Sequence, residues 1–194
     1  MAQIQPSETS LRARNARAAR RQLLAVPVLF AGAAVAVVLG VVAKHYGPGT
    51  TALPTWGFSG PSVFKAYLSS VILVLVIGQL LTAVWIYRFR APHVVHRYHR
   101  LSGALAFTLS LPVGFYCLYT FGFQFGPQVP TRTWMHSLAG LTFYGAFAAK
   151  MLTLRLRNAP GWLLPVLGGL VFASFVLAWT LAAAWWFRTV GFGR

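Results

Sequence analysis

Five histidines, one cysteine and one acid are nearly all that this 194-residue chain offers for binding a metal or moving a proton. The histidines are His45, His93, His96, His99 and His136; the cysteine is Cys117 and the acid Glu8. Two of the histidines share a local pattern, His99-Arg-Leu-Ser-Gly103 and His136-Ser-Leu-Ala-Gly140, both H-x-x-x-G. On a helix, positions i and i+4 lie on one face, so each glycine removes the side chain one turn from the imidazole and leaves a flat gap. A porphyrin lying against a helix needs such a gap, and neutral imidazole is a common axial ligand of haem iron. Gly and Ser at this spacing serve equally to let two helices approach closely. A single cysteine allows no internal disulfide, no C-x-x-C-H haem attachment and no iron–sulfur cluster held by this chain alone, so any cofactor is expected to use other ligands.

The run His93-Val-Val-His96-Arg-Tyr-His99 sets histidines three apart, close enough on a helix to share a transition metal. Arg90, Arg97 and Arg100 surround it, and their like charge opposes a divalent cation. The same stretch reads as an interfacial loop touching lipid headgroups, whose arginines would also suit haem propionates or a quinone headgroup.

The elements that must position these residues follow from composition. The chain is 57% hydrophobic and 9% charged, with 17 Lys and Arg giving a net charge of +16. A soluble domain carries roughly a quarter charged residues of both signs, so lipid must be the solvent of most side chains. The basic residues fall in short clusters between long apolar runs, which is membrane topology and not a nucleic-acid surface. Crossing a hydrocarbon layer of about 30 Å takes about 20 apolar residues. Five runs qualify, at residues 22–44, 63–87, 101–122, 134–154 and 162–187, predicting an all-α integral membrane bundle of five transmembrane helices. Residues 1–21 would form a basic cytoplasmic tail and residues 188–194 a short outer tail. Twelve basic residues precede the first run or join runs two to three and four to five, while Lys44, Lys65, Arg132, Arg188 and Arg194 fall on the other side. Positive charge is retained inside, so the N-terminus is expected to be cytoplasmic and the C-terminus outside, in a cell membrane of the bacterial inner-membrane kind. The loops at 45–62 and 123–133 are rich in Gly, Pro and aromatic residues and are expected to be compact covers.

This topology separates the two motifs by about one helix length, roughly 30 Å, so they cannot share a porphyrin. His45, at the outer end of the first helix, is the expected partner of His136. His99 has only His93 and His96 nearby, and residues on one helix cannot reach both faces of a porphyrin. One outer haem b is therefore expected, with a second less well provided for. The lack of intramembrane Asp and Glu disfavours an ion-coupled transporter, and a zinc hydrolase would lack its usual carboxylate base.

At His136-Ser137-Leu138-Ala139-Gly140-Leu141 the chain resembles the cytochrome b561 family, and His99-Arg-Leu-Ser-Gly103-Ala-Leu-Ala-Phe107 resembles the histidine-bearing helix of ferric-reductase-like transmembrane domains. The likeness covers helices two to four. It implies a helical bundle carrying b haem that passes electrons across a membrane, with His136 and His99 as axial ligands. The chain departs from the b561 pattern by having Lys65 and Asn158 where further histidines would stand. It departs from the ferric-reductase pattern at Leu111-Pro112-Val113. The sequence thus predicts a membrane b-type cytochrome in electron transfer, working with a redox partner protein or quinone, with His136, His45, His99, His96, Gly140 and Gly103 as cofactor-binding residues and His136, His45 and His99 as the iron ligands among them. The alternative is a haem-free anchor or assembly subunit of a larger membrane complex, using small residues such as Gly32, Ala33, Ala36 and Gly40 as its contact face.

Overall fold

The computed structural model describes residue 12 and residues 19–49, 51–89 and 91–192; most of the expected N-terminal tail, with Arg90 and Arg194, lies outside these. The described residues are mostly helical, with no strand among them. The elements are α1 (Ala25–Tyr46), α2 (Pro61–Arg88), α3 (His93–Tyr116), α4 (Thr131–Arg155), α5 (Leu163–Trp179) and α6 (Trp185–Thr189). A wider π turn, Cys117–Phe121, continues α3, and a second, Thr180–Ala184, joins α5 to α6. Taken through these turns, five helices of 25 to 29 residues are long and apolar enough to cross a membrane.

Lipid has to cover the outside. Phe30 is 75% exposed and Val74 70%, and a continuous apolar surface of this kind is not tolerated in water. The third span starts earlier than the apolar run predicts, at His93, because Pro92 in extended backbone (ψ 158°) starts the helix there and Val95 is buried. The His93–His99 stretch is therefore helix rather than loop.

The helices alternate in direction, and α4 packs against both α1 and α5, while α2 pairs with α3. Glycine decides the α1–α4 contact. A Cβ on Gly32 would stand 2.6 Å from the Gly145 carbonyl oxygen and 2.8 Å from Ala149 Cβ, and Gly40 lies over Leu141. The small-residue face expected to receive a partner subunit is thus used within the chain at Gly32, Ala36 and Gly40. Across the middle, α3 reaches α4 through long side chains: Phe107 stacks on Phe147 at 3.8 Å, and Tyr144 donates to the Ser110 carbonyl at 2.6 Å. Ile72, Val76, Ala106, Phe143 and Phe175 fill the centre between α2, α3, α4 and α5. This core is the floor of the site described next. The 47–60 loop is tied down as expected of a cover, with Gly49 N–H donating to the Tyr119 carbonyl at 2.7 Å and the Tyr116 hydroxyl donating to the Pro54 carbonyl.

Candidate functional site

Above that core, at the end of the bundle where α1 stops and α4 starts (the distal end), lies a cavity of about 410 Å³. Ligand pockets typically run from about 300 to 1,000 Å³, so it is large enough for a small organic molecule. Lys65 of α2, Cys117 at the start of the first π turn, and Arg132 and His136 of α4 line it, with Phe175 and Trp179 of α5 as apolar wall.

His136 is oriented from behind. Its Nδ1 lies 3.0 Å from the Ala178 carbonyl oxygen. A carbonyl can only accept, so Nδ1 carries the proton and, in the neutral ring, Nε2 presents a lone pair. Nε2 faces Cys117 Sγ at 3.8 Å, and Lys65 Nζ donates to that sulfur at 3.5 Å. Helices α2, α3, α4 and α5 thus contribute to one chain of contacts: Lys65, Cys117, His136, Ala178 carbonyl. Arg132 donates to the Leu181 carbonyl at 2.6 Å and lies 3.7 Å over the Trp185 ring. Both carbonyls flank or belong to the second π turn, where helical bonding is rearranged; such turns recur at functional sites because they redirect backbone groups. The Lys65 ammonium also sits 3.9 Å over Phe121. It turns into the cavity rather than toward headgroups.

The two H-x-x-x-G segments differ sharply. Beside His136, a Cβ on Gly140 would meet nothing within 4 Å, so the flat gap exists. Beside His99 it does not: a Cβ on Gly103 would stand 2.8 Å from Gln79 Oε1. Gln79 fills the place, its amide donating to the His99 carbonyl at 2.8 Å and to Ser102 Oγ at 2.6 Å, while His99 Nδ1 pairs with Thr82 Oγ1 at 2.8 Å. His93 and His96 are exposed on the same helix. Among the described residues no three His, Cys, Asp or Glu side chains gather as a metal site, so the histidine run does not form one.

The expected pairing of His45 with His136 does not form around this cavity. His45 is exposed, edge-on to Tyr46 at 4.7 Å, and does not line the cavity. Helix geometry gives the reason. Leu141 faces α1, and His136 is five residues earlier, about 140° around α4 at roughly 100° per residue. The face of α4 that meets α1 therefore cannot also present His136. The groups the sequence reading passed over are Cys117, Lys65 and Arg132. The signal available for them was that Lys65 and Arg132 are charged residues within predicted or adjoining spans with no acid nearby.

No curated protein and no solved structure matches the chain. A family match covers residues 24–194, which takes in α1 to α6 and the whole cavity. The chain belongs to DUF6529, a family of unknown function.

Proposed function

We propose that the protein is a membrane b-type haem protein acting in electron transfer, with one haem at the distal cavity and His136 as its axial ligand. It would sit in the bacterial inner membrane with a cytoplasmic N-terminus, exchanging electrons with a redox partner protein or quinone at the distal end. The observation that carries the reading is the imidazole of His136, pinned through Nδ1–H to the Ala178 carbonyl so that Nε2 turns its lone pair to the Cys117 side of a cavity, 3.8 Å from that sulfur. A backbone carbonyl behind the ring is the usual arrangement that fixes tautomer and orientation in a ligating histidine and raises its basicity. Two further features favour a haem: open space at Gly140, one turn along α4 from His136 though outside the cavity lining, and the cations Lys65 and Arg132 in that lining, which would meet carboxylate groups. The residues present do not fit a second haem at His99, whose neighbouring gap is taken by Gln79. Bound haem would supply a one-electron couple. The chain's part is to hold the ring of His136 still, to wall the site from water with Phe175 and Trp179, and to place cationic charge beside it.

The test is a reduced-minus-oxidised spectrum of the full chain purified from haem-replete cells. A reducible Soret band is expected in the wild type and in His45→Ala, and its loss in His136→Ala. Colourless wild-type protein overturns the reading and leaves the haem-free anchor.

A further inference from the structure

Charge balance at the distal cavity points to a second property, independent of iron. Glu8 is the only acidic side chain in the sequence, so residues 9–194 contain neither Asp nor Glu. Yet Lys65 and Arg132, four and one residues into their spans, both turn into the cavity. Their contacts are Cys117 Sγ and the Phe121 ring for Lys65, and the Leu181 carbonyl and the Trp185 ring for Arg132. Carbonyls and aromatic faces solvate a cation but do not neutralise it, and Lys65 and Arg132, neither of them exposed, leave two like charges lining one cavity. Even a Cys117 thiolate would cancel only one of the two. The Arg132 fork also keeps donors beyond the one given to Leu181, since a guanidinium carries five.

We infer that this cavity is a receptor for the anionic group of an amphiphile, a carboxylate or phosphate carried on an apolar body, with Lys65 and Arg132 as its two cationic contacts. The charged end would lie between these side chains and the apolar body against Phe175 and Trp179. Two sources offer that chemistry: the carboxylates of a porphyrin and the phosphate of an anionic lipid.

The experiment uses the full chain. In nanodiscs of neutral phosphatidylcholine, haemin and its dimethyl ester are titrated in parallel; in detergent, native mass spectrometry counts phosphatidylglycerol retained per chain. If porphyrin carboxylates are the source, the free acid binds at least tenfold more tightly than the ester. If lipid is the source, one phosphatidylglycerol is retained. In either case the effect is expected to vanish in Lys65→Met with Arg132→Gln and to survive in Lys65→Arg with Arg132→Lys, which keeps both charges. Equal binding of acid and ester together with no retained anionic lipid in the wild type overturns the inference, as does a charge-preserving variant that behaves like the neutral one. Failure of haemin to bind at all counts against the haem reading, and the lipid arm then decides the anion site by itself.

Discussion

The two H-x-x-x-G segments are alike in sequence and unlike in surroundings, and alanine at each glycine separates them. At Gly103 the added methyl would stand 2.8 Å from Gln79 Oε1, displacing the amide that donates to both the His99 carbonyl and Ser102 Oγ. Each of these bonds contributes about 0.5–1.5 kcal/mol net, so Gly103→Ala forfeits about 1–3 kcal/mol. At Gly140 the methyl meets nothing within 4 Å and forfeits no contact. Both replacements gain about 0.5–1 kcal/mol of helix backbone entropy, which cancels in the comparison. With about 2–4 °C of melting temperature per kcal/mol at this chain length, Gly103→Ala should melt roughly 2–12 °C below Gly140→Ala. Thermal unfolding of the two proteins in the same detergent, followed by tryptophan fluorescence, measures this directly. Equal melting temperatures, or the reverse order, would refute the argument that Gln79 closes the gap beside His99.

Three other perturbations probe the same geometry. Gly140→Leu puts bulk into the open space beside His136, so the ratio of Soret to protein absorbance should fall well below wild type while helix content by circular dichroism is unchanged. Gly32→Leu drives a side chain into the Gly145 carbonyl and should cost at least about 1–3 kcal/mol, read as a lowered melting temperature; a wild-type value would show that α1 does not pack on α4 this closely. Tyr144→Phe removes the donor to the Ser110 carbonyl and should destabilise by about 1 kcal/mol in the same assay without changing haem content, because Tyr144 lies outside the cavity lining.

His136 with Gly140 was legible because the imidazole and the open space one turn along lie on one helix, at a spacing that helix geometry fixes. His99 with Gly103 looked the same because Gln79, which fills its gap, comes from another helix 20 residues away in the chain. His45 was assigned to His136 from topology, which gives the end of the bundle but not the side of the helix. Cys117 was set aside for want of a second cysteine, and its partners are 52 and 19 residues distant.

The amino-acid sequence by itself determined five apolar spans, their rough limits and the scarcity of acids, because the need to cover about 30 Å of hydrocarbon acts on each segment separately. Only the tertiary structure decided which faces meet. Glycines in α1 and α4 bring those helices together on one side, α3 and α4 are bridged by aromatic side chains, and the second π turn redirects carbonyls toward His136 and Arg132. A helix that is apolar all round carries no mark of which face is buried, since lipid and protein interior are equally acceptable to its side chains, so rotation about the helix axis is set by packing alone.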